Sequence, residues 1–579
     1  MINRLSYLFS IFLVIIASFP VFASDILDRV KASYIAPYYA DTGLSDPAEN
    51  GKYKFNMIRY GKKPFLFYLN EPDIVAPTVN LPNFLGDYSR KKGYKSDAYH
   101  QFNNRNLELE AKVWLPINDQ PLPLVIITHG NSAPGFDYLG ELLASRGHVV
   151  VQVNQTYLNG LWGENGARAW ILLEHLKQLK KWNKKVGHTF YNTLDFDRIA
   201  LIGMSRGGEA VALAAAFNQW ETIPVSNELT EFDFNIKSVI ALAPMDGQYH
   251  HVNGPNELRN VNYLVLQGGH DADVYQFLGS QQWHRTYFDD GENYFKQLIY
   301  IYRANHINFN QDMSDDYRWG SEKDFYSKLL KPKEQESLTK FYVSAFLEVT
   351  LANKKQYLEL LKNPVAREFS LPNDIYVSRY LSSDYTIIED FESAKNNKVF
   401  VKTITKKTLM EATTNITFEK LRNGTNTSNN VLKVELSKGI ESRISIKLLK
   451  HQLLHNNRSG KLNVIFSIAL ASSNILADSK KYNLLADASI EMWDKSALLF
   501  KGNLSTVGTI APQLISDFSE LEKGGVIYAP TEPVLQTFTF PIQFSTATHT
   551  YNELELVFVF NPKQAKTIIL DDIGITNQS

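Results

Sequence analysis

Residues 198–217 read RIALIGMSRGGEAVALAAAF, and few arrangements of backbone satisfy that order. An apolar run of strand length enters a turn with small residues on both sides of Ser205, and an alanine-rich segment of helical composition follows at once. A turn that only joined a strand to a helix would need one glycine at most. Gly203 and Gly207 flank the serine here, so the spacing predicts a sharp turn that holds Ser205 in a backbone conformation it would not adopt freely.

The same alternation extends on both sides. LELEAKVWLP (107–116) alternates as a half-buried strand does, while PLVIIT (123–128) and HVVVQVN (148–154) read as strands buried on both faces. YLGELLASRG (138–147) predicts an amphipathic helix stopped by Gly147, and ARAWILLEHLKQLKKW (167–182) a longer one. SVIALAP (238–244), NYLVLQGG (262–269) and QLIYIYRAN (297–305) supply further strands, and residues 333–362 read as one closing helix. Strand and helix at this spacing predict an α/β domain with a mostly parallel sheet covered on both faces. Its core falls at about 105–362 within 24–383, with leading strands and loops ahead of it.

From about Asp384 to the end the texture changes to strand-like runs separated by Asn, Ser, Gly and Pro. These predict an all-β sandwich over 384–579. The chain has 579 residues, enough for both parts, and no internal repeat. A net charge of −1 gives no electrostatic case for nucleic acid.

Residues 1–23 carry Arg4, an apolar run, and Val21-Phe22-Ala23 ahead of Ser24, the order of a signal peptide cleaved after Ala23. Cysteine is absent, which removes thiol nucleophiles and thiolate metal sites and argues against a disulfide-bearing secreted eukaryotic enzyme. An exported bacterial protein, periplasmic or extracellular, is the expectation.

In a parallel sheet, reactive groups gather beyond the carboxyl ends of the strands. A hydroxyl needs a base to become nucleophilic. Of 13 histidines, only His306 directly follows the last strand of the α/β part, and it comes after Ser205 in the order Ser…acid…His. An acid must hold that histidine's tautomer. Asp271 in GGHDADV is preferred, with Asp273 beside it and Asp246 in APMDG as rivals. The backbone N–H groups of Asn131, in HGNS after a strand, and of Arg206 would form an oxyanion hole. His129 is expected to brace the loop. Tyr157 and Trp162, with Tyr275, Phe277 and Phe309, are candidate walls of an acyl pocket or simply loop packing.

HGNS, GMSRGG, GGHDADV and ANHINFN together resemble the α/β-hydrolase superfamily over residues 105–360. Within it the set is similar to secreted bacterial esterases and lipases of the dienelactone-hydrolase and cutinase-like branch, and SRGG is similar to the chlorophyllase elbow. Met204 stands where many relatives have histidine. The resemblance implies serine-dependent hydrolysis of a carboxylic ester without a cofactor or metal, with the roles already assigned to the matched residues.

IEDFES and IILDDIGI resemble the first and last strands of jelly-roll, carbohydrate-binding-like modules, which implies that the two lie side by side and makes a carbohydrate partner conceivable. Asp390, Glu392, Asp571 and Asp572 would then approach one another, either as a calcium site or, the preferred expectation, as plain surface carboxylates. His250-His251 reads as a solvated loop. The alternatives to an esterase are a serine peptidase of the same superfamily and a catalytically silent glycan-binding scaffold.

Overall fold

The computed structural model describes residues 43–62, 71–85, 105–161, 163–223, 227, 229–249, 256–313, 329–362, 369, 371–392, 399–404, 409–411, 415–422, 424–449, 461–471, 484–511, 522–523, 526–527, 533–543 and 553–577. The expected signal segment, Trp162 and His250-His251 lie outside them. No helix among the described residues is long and apolar enough to cross a membrane.

The apolar runs become a ten-stranded mixed sheet. Its order is Tyr376–Ser382, Phe295–Ile301, Asn262–Gly268, Ile236–Leu242, Leu194–Met204, Leu122–Thr128, Val149–Asn154, Glu110–Pro116, Phe55–Gly61 and Ile74–Val75. The six strands from Phe295–Ile301 to Val149–Asn154 are parallel to their neighbours. Tyr376–Ser382 and Glu110–Pro116 flank that block antiparallel. Runs such as Val149-Val150-Val151 suit the centre because β-branched side chains fill both faces of the pleat, and these three are fully buried.

The two faces have separate cores. Leu124, Ile126, Leu172 and Val211 share one, and Val125, Ile127, Leu139 and Phe346 the other. Helices Asn165–Asn183 and Arg206–Asn218 therefore cover one face, and Asp137–Ser145 and Pro332–Thr350 the opposite one. Asp137–Ser145 stops as expected. Gly147 takes φ +93°, its N–H donates to the Ala144 carbonyl, and the His148 N–H donates to that of Leu143.

Two local expectations need correction. The closing helix is not continuous over 333–362: it stops at Thr350 and resumes at Leu358–Lys362. Asn353 between them adopts φ 55°, a conformation asparagine tolerates and a helix does not. The Tyr376–Ser382 strand, which has no strong pattern in sequence, completes the sheet edge.

Beyond Ser382, apart from a two-stranded pair of Glu522–Lys523 and Val526–Ile527, the strands form two six-stranded sheets, antiparallel throughout. They enclose one apolar core that includes Leu432, Ile446, Phe466, Ile490, Phe558 and Leu570. Thr386–Glu389 does lie beside Lys566–Asn577.

Asp390 and Glu392 are exposed, as plain surface carboxylates would be, whereas Asp571 and Asp572 are not surface groups. Asp571 and Asp572 are buried and bind Arg379 of the Tyr376–Ser382 strand at 2.6 and 2.8 Å. Glu392 instead accepts from Asn430, and Asp390 accepts from the Glu392 N–H. No group of three His, Cys, Asp or Glu among the described residues could hold a metal ion. Glu419 joins the cluster, 3.4 Å from Arg379 and 3.0 Å from His284. The Trp283 ring packs under both Arg379 and Lys296, each 4.1 Å from its centroid. The α/β and β-rich parts thus meet across buried charges.

Buried ionisable groups set the acid limit of the fold. Burial holds His129, His148 and His175 down to about 3, 4 and 3. It pushes Glu110 and Glu209 up to about 7 and Asp374 up to about 6. As pH falls below 6.5, the unfolded chain protonates histidines that the native state keeps neutral, so stability falls. The raised carboxyls act oppositely between their ordinary and native values, because the native state holds protons the unfolded chain has lost. Among these six groups, three against three, the effects largely offset between pH 6 and 5. Below about 4.5 the unfolded carboxyls are protonated as well and that offset ends. Glu419, held down to about 2 chiefly by His284 and Arg379 against its burial, then adds to the loss. The urea midpoint should stay nearly flat from pH 6.5 to 5 and drop steeply below about 4.5, each group contributing up to ~1.4 kcal/mol per pH unit. A transition already advanced at pH 6, or absent at pH 3.5, would contradict this balance.

Candidate active site

Leu122–Thr128 and Leu194–Met204 are neighbours in the sheet, yet the helices that follow them cover opposite faces. The chain diverges above and below the sheet between these two strand ends, the kind of place where open α/β sheets bind ligands. Ser205 ends one of these strands, and the His129-Gly130-Asn131 loop ends the other.

Ser205 has φ 57° and ψ −122°, outside the regions an L-residue favours. Strain of this kind costs on the order of 1–3 kcal/mol and persists only where surrounding bonds over-determine it. Here the Ser205 N–H donates to the Leu242 carbonyl at 2.9 Å. Its own carbonyl accepts from Gly208 at 2.9 Å and from Met245 at 3.0 Å. A Cβ on Gly203 would collide with the Gly207 carbonyl, and one on Gly207 would sit 2.7 Å from the His129 carbonyl, so neighbouring backbone accounts for both elbow glycines. Met204 is buried in the core on one face, away from the turn's reactive side.

A Cβ on Gly130 would sit 2.7 Å from Ser205 Cβ and 3.1 Å from the Arg206 nitrogen. The loop therefore crosses directly against the elbow, and only glycine permits the approach. The next residue, Asn131, is anchored by its side chain, whose Oδ1 accepts from the Gly160 N–H at 2.5 Å. Arg206 is the first residue of the helix that follows the turn. Its side chain is committed elsewhere: Nη1 donates to the Leu161 carbonyl at 2.6 Å and to Glu164 Oε1 at 2.7 Å. Glu164 is buried and also pairs with Arg168, whose Nη2 donates to Asn159. Asn159 in turn donates to the Ser132 carbonyl. The 159–168 stretch thus ties the Asn131 loop to the elbow, a coupling the sequence does not reveal.

His129 has no free nitrogen for proton transfer. Its Nε2 accepts from the Gln155 N–H at 2.9 Å, which makes Nδ1 the donor to the Gly130 carbonyl at 2.9 Å. Burial first, then the Arg168 charge, keeps it neutral. It braces the loop.

Asp271 and His306 meet. Asp271 Oδ2 lies 2.9 Å from His306 Nδ1, with both side chains buried. Asp271 Oδ1 accepts from the N–H groups of Asp273 at 3.0 Å and Val274 at 2.7 Å, which fixes the carboxylate plane. Of the rivals, Asp246 is paired with Arg285 at 2.5 Å. Asp273, partly exposed, lies 3.5 Å from the other imidazole nitrogen, Nε2. His306 is further set by Gln335, whose side chain donates to the Asn305 carbonyl at 2.8 Å and accepts from the Asn305 N–H at 3.0 Å. Gln335 lies on a helix thirty residues away, and sequence alone carries no sign of its role.

The strand ends that carry these groups are levelled by backbone bonds. Ser205 bonds to Leu242, Ala243 to Leu266, and Gly269 to Ile301. Of the candidate pocket walls, Tyr157 packs against a sheet core and donates to the Glu108 carbonyl at 3.0 Å. Phe277 and Phe309 are buried.

No protein-family profile matches this chain, and no curated protein matches it significantly.

Proposed function

We propose that this chain is an exported serine hydrolase of carboxylic esters built on an α/β-hydrolase domain. The observation that carries the reading is the buried Asp271–His306 bond, on the same sheet edge as a serine held at φ 57°. One imidazole nitrogen is thereby assigned to the carboxylate, and the other, Nε2, with Asp273 Oδ2 3.5 Å away, is the one proposed to take the proton from the nucleophile.

In this mechanism the Ser205 hydroxyl proton passes to His306 Nε2 as Oγ bonds to the ester carbonyl carbon. The carbonyl oxygen becomes an oxyanion facing the N–H groups of Asn131 and Arg206. The C–O bond to the alcohol breaks, and the alcohol leaves with the proton from Nε2. Water then repeats the sequence on the acyl-enzyme, releasing the acid and restoring Ser205. Asp271 stabilises the transient imidazolium without itself taking the proton.

A fluorophosphonate probe should label the parent chain, with the adduct on the peptide that contains Ser205. Asp271→Asn should slow turnover of p-nitrophenyl acetate by about 10⁴-fold, because the amide supports the wrong imidazole tautomer. An unlabelled chain, or an adduct on a different serine, would defeat the assignment. A p-nitrophenyl series from acetate to palmitate measures acyl length preference.

A further inference from the structure

The β-rich part reaches the loop that carries Asp271. Arg422, just past the Asn415–Lys420 strand, is 2% exposed. Its guanidinium sits 4.0 Å from the Phe277 ring centroid, and Nη2 donates to the Gly269 carbonyl at 3.2 Å. Nε and Nη1 are buried without a hydrogen-bond partner. Leaving donors of a buried cation unmatched is costly. A leucine or methionine would cover Phe277 without that cost, so apolar packing alone does not account for a guanidinium here.

What Arg422 touches is the lead-in to the acid. On its other side this segment is stitched to the residues ahead of His306. The Gly269 N–H donates to the Ile301 carbonyl at 2.8 Å, and the His270 N–H to that of Ala304 at 2.9 Å. His270 Nδ1 bonds the Tyr302 carbonyl at 2.6 Å. Downstream of the acid, Phe277 holds a left-handed backbone, φ 61°, with its ring clamped between Arg422 and the edge of Tyr300. The 268–277 loop is therefore pinned by the sheet on one side and by a residue of the β-rich part on the other.

We propose that Arg422 is a positioning residue that holds the Asp271 loop in register with His306, so that the β-rich part acts as a fixed brace of this dyad. The proposal rests on the hydrolase reading above. In the full chain, Arg422→Met keeps the reach and removes the charge and donors. Its kcat on p-nitrophenyl acetate should fall tenfold or more, with KM within twofold. The acid limb of kcat/KM should move to lower pH, because a displaced Asp271 supports the imidazolium less. Asp273, still beside Nε2, keeps that shift small. Arg422→Lys should recover part of the rate.

An active variant with unchanged kcat and acid limb, even with a lower melting temperature, overturns the brace. Should Arg422→Met not fold, Arg422→Lys carries the test: a smaller fall in kcat at constant KM supports the proposal, and parental kinetics overturn it. A parent chain that neither turns over ester nor takes the fluorophosphonate label fails the hydrolase reading, and the brace with it. An active parent whose Arg422 variants are equally active fails the brace alone.

Discussion

Ser205→Ala should lower kcat for ester hydrolysis by about 10⁶-fold while leaving the melting temperature close to that of the parent chain. The methyl group keeps the Cβ that sits against Gly130 and removes only the oxygen. The backbone bonds that hold φ 57° involve the main chain of residue 205, so they survive the exchange. His306→Ala should cost about as much, and the double variant no more than either single one, because nucleophile and base act as a unit. Steady-state kinetics with p-nitrophenyl acetate and a thermal melt on the same samples give both numbers. Residual turnover within tenfold of the parent would remove Ser205 from the chemistry.

Arg379→Met should destabilise the chain by about 3–5 kcal/mol, which lowers the melting temperature by roughly 3–4 °C if the two parts unfold together and by more if they do not. Asp571 and Asp572 would be left buried without their cation. Burial, and then Asp572, already push the Asp571 carboxyl up, so its charge is tolerated mainly because Arg379 is present. Without the arginine the pair can relieve its repulsion by binding a proton. The deficit should therefore be larger at pH 7.5 than at pH 5.5, and melts of parent and variant at both values measure it. An equal deficit at both would mean that the lost guanidinium packing on Trp283, rather than its charge, matters at this position.

The parts of this fold legible in sequence are those whose causes are local. PLVIIT and HVVVQVN are apolar on both faces, and the elbow declares itself through glycines that two carbonyls and a neighbouring Cβ require. The proposed acid was readable only as a choice among three. Asp271, Asp273 and Asp246 all follow strand ends, and what separates them is partners far along the chain: His306 for one pair and Arg285 for Asp246. The carboxylates of IILDDIGI were misread for the same reason. Their burial depends on Arg379, about 190 residues earlier, and charge composition looks the same whether a carboxylate meets water or a guanidinium. Gln335, Glu164 and Arg422 bond to Asn305, Arg206 and Gly269 across 30, 42 and 153 residues and left no local trace.

The Tyr376–Ser382 strand belongs by its hydrogen bonds to the first sheet and by its arginine to the second part of the molecule. Such a seam has an evolutionary cost. The C-terminal third is not a cassette that recombination could swap for an unrelated module, because any replacement would have to bring its own counter-charges for Arg379 in register with the last strand of its host.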